Sequence, residues 1–289
     1  MNTEAADPRF VDIDGWPAAD AAAAVLAAQR AAVATLDADA IAAAAEAAAA
    51  RLRHGGRIAY AGAGTSGRLA VQDGVELTPT YDWPEERLVF LLAGGAAAMM
   101  RGIEGAEDDA GAARDGVAAA GLDEEDVLVA VAASGRTPYT LAAVEAARAA
   151  GALTIAIANN RHAPLLAAAE HAILADTGAE VIAGSTRMAA GTAQKAALTT
   201  WSTTTMLRLG RVYRGRMVDL RVTNAKLRTR AEAMVAELAG VGGASAAAAL
   251  DAAGQRVKPA ILIARGLSPA AATARLADAN GDLRRALAE

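Results

Sequence analysis

Short apolar runs alternate along the chain with alanine-rich segments whose apolar positions recur at helical spacing. Five runs have the length and the aliphatic character of buried strands. They lie at 58–61, 88–92, 126–132, 153–158 and 172–174. Alternation of strands with helices is typical of a parallel sheet that is covered by helices on both faces. The pattern therefore predicts an α/β fold.

Further helices are predicted before, within and after this alternating region. Their ranges are 18–53 (two helices, broken near Asp37), 96–103, 188–209, 219–238, 246–253, 257–264 and 269–276. Glycine-rich residues 240–243 indicate a linker ahead of the last three helices. We therefore expect an N-terminal helical segment (1–47), a sheet domain (48–211), a long connecting helix (212–240) and a small C-terminal helical module (241–289).

Composition narrows the class of protein. The formal net charge of −5 over 289 residues argues against nucleic acid as the main partner. The chain has no cysteine, which excludes disulfides, thiolate chemistry and cysteine-based zinc sites, and its three histidines lack metal-ligand spacing. The start lacks a signal-peptide pattern, and no stretch of about 18 uncharged apolar residues occurs. We expect a cytoplasmic protein with no membrane partner.

A turn rich in glycine and hydroxyl groups follows the first predicted strand. Its members are Gly62, Gly64, Thr65, Ser66 and Gly67. Glycines allow close backbone approach, and the free N–H groups of the helix that follows can bind an anion. The spacing also fits a dinucleotide fingerprint, but the next strand ends in Ala93-Gly94-Gly95 rather than in the acid that binds ribose. The hydroxyl pair favours a phosphate.

Two similar turns occur later in the chain. The second comprises Ser134, Gly135, Arg136 and Thr137, and the third comprises Gly184, Ser185 and Thr186. Because open parallel sheets bind ligands at the carboxyl ends of their strands, we expect these turns to gather there. Glycine and serine are common in ordinary turns, but three such turns in one chain favour a shared site for a sugar phosphate.

Carboxylates near the same edge are candidates for proton transfer. Glu76 lies between Val75 and Leu77, where apolar surroundings would favour a neutral acid, although a helix-end charge facing water is equally consistent with the pattern. Glu104 and Glu107 are three residues apart, so one helical face could present both. A two-carboxylate enzyme would need one acid and one base, which this sequence permits.

Nearly the whole chain resembles the N-acetylmuramic acid 6-phosphate etherase family, which has the sugar isomerase (SIS) fold. The matching motifs are Gly62-Ala-Gly-Thr-Ser-Gly-Arg-Leu69, Glu76-x-x-Pro79-Thr80, Ala93-Gly94-Gly95, Glu104-Gly-Ala-Glu-Asp108, Ala132-Ala-Ser-Gly-Arg-Thr-Pro-Tyr139, Gly184-Ser-Thr-Arg187, Ala190-Gly-Thr-Ala-Gln-Lys195, Met217-Val-Asp219 and Asn224-x-Lys226-Leu227. The combination of motifs in this order is specific, whereas no single one is.

The resemblance implies a lyase that removes D-lactate from N-acetylmuramic acid 6-phosphate in the recycling of cell-wall amino sugars. It implies that Glu76 protonates the departing lactate and later activates water, and that Glu107 removes the hydrogen on C2. Phosphate or sugar ligands would be Ser66, Ser134, Thr137 and Ser185. It further implies a homodimer that needs no metal or organic cofactor.

The chain departs from the family's motifs at three places. Leu77-Thr78-Pro79 replaces Cys-Pro-Pro, Ala189 replaces a lysine, and Arg214-Gly215-Arg216 replaces Gly-Asn-Leu. The last two bear on the substrate and on the dimer surface. Two other functions stay open at this stage, namely a regulatory protein that binds a sugar phosphate without turnover and an aldose–ketose isomerase.

Overall fold

The centre of the fold is a five-stranded parallel sheet with strand order β2-β1-β3-β4-β5. The computed structural model describes residues 2–220 and 222–288. The strands are β1 (Ile58–Gly62), β2 (Leu88–Leu92), β3 (Val127–Ala132), β4 (Leu153–Ala158) and β5 (His171–Leu174). The α/β fold is confirmed, and all five predicted strands occur within one residue of their predicted bounds.

Helices cover both faces of this sheet. On one face, Ala59 and Ala61 of β1 share a hydrophobic core with helices α5 (Ala110–Ala120) and α6 (Pro138–Ala149). On the other face, Tyr60 meets Trp201 of helix α8 (Ala189–Arg208), with 6.3 Å between ring centroids. Alternate side chains of a strand point to opposite faces, so burial on both sides explains why the inner strands β1 and β3 are apolar along their whole length.

Five more helices complete this part of the chain: α1 (Ala18–Val33), α2 (Ala38–Leu52), α3 (Gly64–Val75), α4 (Leu77–Tyr81) and α7 (Pro164–Ala168). The predicted break near Asp37 is confirmed, because the Asp37 side chain accepts from the backbone N–H of Asp39 and caps α2. The helix predicted over 96–103 is wrong beyond its first turn, since only Ala96–Met99 forms a 3₁₀ turn. Arg68 holds the residues around that turn by donating to the carbonyls of Ala98 and Arg101.

The C-terminal part contains a short hairpin and five helices. The hairpin pairs β6 (Val212–Tyr213) with β7 (Arg216–Met217), and the helices are α9 (Ala225–Ala239), α10 (Gly243–Ala252), α11 (Val257–Ala264), α12 (Pro269–Asp278) and α13 (Leu283–Leu287). The helix predicted from residue 219 begins only at Ala225, because the Asn224 side chain caps it there. Neither the hairpin nor α13 is predicted by the sequence pattern.

By its contacts the chain divides into two compact units, residues Met1–Gly74 with Glu86–Thr205 and residues Val75–Glu85 with Met206–Glu289. The predicted connecting helix and C-terminal module both contribute to the core of the second unit. The four-part division of the sequence stays a prediction. Within the described residues no single helix is long and apolar enough to cross a membrane. Two bent pairs, α1 with α2 and α9 with α10, have sufficient length and apolar character only when their two helices are taken together.

Candidate functional site

The first two glycine- and hydroxyl-rich turns leave the sheet from neighbouring strands. β1 lies between β2 and β3, and Gly62 of β1 is in register with both Leu92 and Val131. The chain crosses from β1 outward to β2 and then returns past β1 to β3, so the strand order reverses here. Ligands of open α/β sheets bind in the crevice that this reversal creates at the carboxyl ends of the strands.

Close backbone packing shapes the first turn. A Cβ atom on Gly67 would lie 2.7 Å from the carbonyl carbon of Gly62, so α3 starts directly against the end of β1. Gly64 has a φ of 53°, a backbone conformation that suits glycine. Ser66 is only 8% exposed, and within the described chain its hydroxyl makes no hydrogen bond. The turn therefore presents a sheltered hydroxyl at the first turn of a helix.

The second turn is equally constrained. Gly135 has a φ of 61°, and a Cβ atom there would lie 2.3 Å from that of Ala163. The Ser134 hydroxyl accepts from the backbone N–H of Arg136 at 3.1 Å, and the Arg136 side chain is exposed. Thr137 is the N-cap residue of α6, but its side chain caps no backbone N–H group. Its hydroxyl and the free N–H groups of α6 can therefore serve a ligand.

The first and third turns both lie against Gly191 of α8. A Cβ atom on Gly191 would lie 3.3 Å from the carbonyl oxygen of Thr186 and 3.6 Å from the Thr65 methyl carbon. Ser185 and Thr186 are half-buried. The structure therefore brings the third predicted turn to the first predicted turn.

A carboxylate of the chain itself caps the start of helix α8. The Glu180 carboxylate is 1% exposed and accepts from the backbone N–H groups of Ala189 and Ala190, each at 2.9 Å. The helix end next to the third turn is therefore already neutralised, and Ser185 and Thr186 contribute hydroxyls rather than a helix terminus. The sequence pattern does not identify Glu180.

The N-terminal residues tie two of the turns together. The carbonyl of Thr3 accepts from Gly184 N–H at 3.2 Å, and its hydroxyl accepts from the Asn160 amide at 3.2 Å. The same amide donates to the carbonyl of Ala133, which precedes the second turn, at 2.9 Å. Thr3 and Asn160 are buried positioning residues that sequence analysis missed. The position of Asn160 two residues after the end of β4 is the one local signal.

A buried polar cluster joins α3 to β1 and α8. Asp73 is 4% exposed and accepts from the Tyr60 hydroxyl at 3.0 Å and from the Ser202 hydroxyl at 3.1 Å. Burial raises the pKa of Asp73, against the lowering effect of these hydrogen bonds. Residues 202–205, which resemble a polar interruption in the sequence, lie in an unbroken α8. Ser202 therefore fixes α3 to α8.

The two candidate carboxyl groups are exposed in the single chain. Glu76 directly precedes α4 in the second unit, and Glu107 lies on the 3₁₀ turn Ala106–Asp108 in the first unit. Of the two alternatives for Glu76, a charge that faces water is the one observed in the single chain. The shared helical face expected for Glu104 and Glu107 does not form, because Gly105 between them has a φ of 70°.

Comparison with known proteins defines the class. Residues 105–201 match the SIS domain, and residues 40–148 match the N-terminal SIS domain of glucokinase regulatory protein. A solved structure from Bacteroides fragilis, described as a phosphosugar isomerase involved in capsule formation, superposes with a TM-score of 0.52 at 22% identity. The superposition covers 66% of this chain and 91% of that one. The sheet and its helices are thus a SIS fold.

Relatives of known name define the family. An N-acetylmuramic acid 6-phosphate etherase from Deinococcus radiodurans is 50% identical over 99% of this chain and 95% of its own length. Etherases from Streptomyces coelicolor (46% identical, 100% of this chain, 94% of the relative) and Cronobacter sakazakii (48% identical, 83% and 81%) also match. The chain belongs to the N-acetylmuramic acid 6-phosphate etherase family.

Proposed function

We propose that this protein is a carbon–oxygen lyase that converts N-acetylmuramic acid 6-phosphate and water into N-acetylglucosamine 6-phosphate and D-lactate, a step in the recycling of cell-wall amino sugars. The observation that carries the proposal is the pair of hydroxyl-rich turns at the neighbouring ends of β1 and β3, where the strand order reverses and an open α/β sheet forms its crevice. The family of the chain supports the lactyl ether as the bond that is broken.

The three turns suit the phosphate group of the substrate. The hydroxyls of Ser66 and Thr137 have no partner within the described chain, and each lies in the first turn or at the cap of a helix. Helix N-terminal N–H groups and hydroxyl donors together favour a doubly charged phosphate. Ser134, Ser185 and the peptide groups around Gly64, Gly67 and Gly135 complete the proposed ligand set, with Thr65, Arg136 and Thr186 at its border.

The reaction follows from the open-chain form of the sugar. The hydrogen on C2 is α to the C1 aldehyde, so a base can remove it. The electrons of the resulting enolate expel lactate from C3, and an acid supplies a proton to the departing oxygen. Water then adds to C3 of the double bond and C2 is protonated again. Two positioned carboxyl groups are sufficient for these proton transfers, each contributing on the order of 10²- to 10⁴-fold.

Glu76 and Glu107 are the proposed acid and base, in that order. Each follows an element that begins or ends at the proposed site. Glu76 comes one residue after α3, which starts at the first turn, and Glu107 lies in the segment between β2 and α5. The homodimer and the cytoplasmic location belong to the same proposal. The homodimer rests on the resemblance to the family, and the cytoplasmic location rests on the sequence pattern at the start of the chain and along it. The proposed chemistry uses no metal or organic cofactor.

The test is D-lactate release from N-acetylmuramic acid 6-phosphate by the purified protein and by carboxamide variants. We expect Glu76→Gln and Glu107→Gln each to lower kcat by on the order of 10²- to 10⁴-fold. The matched control is Glu104→Gln, an exposed neighbour of Glu107, which should retain activity within about threefold, since surface substitutions seldom alter the fold. Equal activities of all three variants would contradict the assignment.

Measurements of substrate binding and of C2 hydrogen exchange, made on the same variants, separate the alternatives. A regulatory sugar-phosphate binder would bind the substrate without releasing lactate, and both glutamates could be replaced without loss of binding. An isomerase would exchange the C2 hydrogen with solvent and retain the lactyl group. Either result would refute the lyase.

A further inference from the structure

The second unit contains a cavity of its own, with a volume of about 510 Å³. Its walls come from residues within the segments 209–220, 254–259 and 276–281, together with Asp82 and Val222. The lining includes the apolar side chains of Val222, Val257 and Leu276. Cavities between about 300 and 1,000 Å³ are the size that small-molecule sites have in proteins.

The lining of the cavity also carries buried charge. The side chain of Lys258 is 8% exposed, and its Nζ donates to Asp219 and, at 2.7 Å, to the carbonyl of Gly281. The Nε of Arg211 lies 3.6 Å from the same Asp219 carboxylate. One carboxylate thus serves two cations. Burial lowers the pKa of Lys258 and raises that of Asp219, and the pairing between them opposes both shifts.

The lining has more donors than its own acceptors use. An ammonium group has three N–H donors, and within the described residues only two of those on Lys258 have acceptors. Arg256 also lines the cavity, and among the described residues its one hydrogen-bond partner is the carbonyl of Ala253, which accepts from Nε at 3.4 Å. With Asp82 and Asp219 as the carboxylates, the described lining holds three cations against two anions, and Asp282, which also acts on Lys258, is not one of the lining residues. The excess favours one further negative charge.

Packing alone does not explain this arrangement. Withdrawing two charged groups from water carries a large desolvation cost, and apolar side chains of similar volume are often as stabilising as such a pair. An open cavity beside such a pair adds no packing in return. A bound ligand would supply both the missing charge and the missing apolar contacts.

We propose that this cavity binds a small organic anion that carries one negative charge on an apolar body. The charged head is placed at Lys258 and Arg256, and the body lies against Val222 and Leu276. This assignment depends on the second unit alone and is separate from the proposed phosphate site.

Arg211, which lines the cavity, also contacts the helix that follows Glu76 of the proposed active site. The Nη1 atom of Arg211 donates to the carbonyl of Tyr81 at 3.2 Å, at the C-terminal end of α4. Glu76 occupies the residue before that helix. An anion that moves Arg211 toward the cavity would therefore change the hydrogen bond between Arg211 and the end of α4, and with it the position of Glu76. This second part rests on the proposed function, whereas ligand binding does not.

The binding test uses benzoate as the probe and benzamide as its neutral match, measured by calorimetry on the full-length protein. We expect benzoate to bind at least tenfold more tightly than benzamide, because hydrogen bonds to an ionised group are about twice as strong as neutral ones. Arg256→Gln and Lys258→Gln should each weaken benzoate at least fivefold. Arg285→Gln is the control, since Arg285 is an exposed arginine of the same unit that does not line the cavity.

Arg256 is the decisive position, because its exposed side chain can be replaced without breaking the buried Lys258–Asp219 pair. Absence of benzoate binding, equal binding of benzamide, or equal affinities of the Arg256→Gln and Arg285→Gln variants would overturn the site. In the activity arm, saturating benzoate should change D-lactate release at least twofold in the wild type and not in Arg256→Gln. Unchanged release would overturn the connection to Glu76. Benzoate binding without any lactate release would support the cavity and reject the lyase.

Discussion

Replacement of Gly67 by alanine tests whether close packing of α3 on β1 positions the first turn. The new Cβ atom would lie 2.5 Å from the Leu92 side chain and 2.7 Å from the carbonyl carbon and oxygen of Gly62. Leu92 can turn away, but Gly62 is backbone within a central strand. To restore ordinary contact at 3.4 Å, α3 and β1 must separate by about 0.7 Å. Ser66, the preceding residue, moves with the helix.

Two opposing terms set the change in the free energy of unfolding. Alanine in a helix is favoured over glycine by about 0.5–1 kcal/mol. Overpacking of a filled interior costs about 1–3 kcal/mol. The clash wins, and we expect Gly67→Ala to lose about 0.5–2 kcal/mol. Displacement of the phosphate turn should also lower kcat/KM for lactate release by about ten- to a hundredfold, since a misplacement near 1 Å can cost about 10²-fold.

Gly243→Ala is the matched control. Gly243 also lies in the first turn of a helix, α10, and a Cβ atom there would have no neighbour within 4 Å. It should gain a few tenths of a kcal/mol in urea unfolding and leave kcat/KM unchanged. If Gly67→Ala matches this control in both stability and kcat/KM, close packing does not position the turn, and the reasoning is refuted.

Two buried carboxyl groups give pH-dependent predictions of opposite sign. Burial would raise the pKa of Asp126, but hydrogen bonds from Arg57 outweigh it and lower the pKa below its usual 3.8. Its stabilisation is therefore present above pH 3.8 and lost as the pH falls through the lowered pKa, and Asp126→Asn should cost about 2–4 kcal/mol at pH 7. The pKa of Asp73 is raised, so its contribution to stability falls as the pH rises from 3.8 through the raised value. Asp73→Asn should remove that fall; urea unfolding at several pH values checks both, and an unaltered pH profile in either variant contradicts the corresponding assignment.

The sheet could be predicted because its signal is local. Each strand is a short apolar run with glycine or polar residues near its ends. In β3 and β4 both faces are buried, so the apolar run is not interrupted by alternating charged positions. The beginning of α9 could not be predicted in this way. The segment before it is committed to long-range contacts, since Asp219 binds Lys258, which is 39 residues away, and Arg214 adopts a positive φ in the hairpin.

For the candidate site, too, local sequence predicted some residues and missed others. Glycine and hydroxyl residues directly after strands predicted the first two turns, and the strand order brings them side by side. Glu180 and Thr3 were missed because their roles depend on distant partners. Thr3 contacts Asn160, which is 157 residues away, and Glu180 caps a helix from an irregular segment. Local pattern identifies groups that can bind a ligand, whereas tertiary contacts determine how those groups are held.

Isotope labelling tests elimination followed by addition of water most directly. N-acetylmuramic acid 6-phosphate would be incubated with the protein in deuterium oxide that carries ¹⁸O, and both products would be analysed by mass spectrometry and NMR. The mechanism predicts N-acetylglucosamine 6-phosphate with deuterium on C2 and ¹⁸O in the C3 hydroxyl, together with D-lactate that retains its original ether oxygen. A sugar product without deuterium on C2, or ¹⁸O in the lactate hydroxyl, would contradict it.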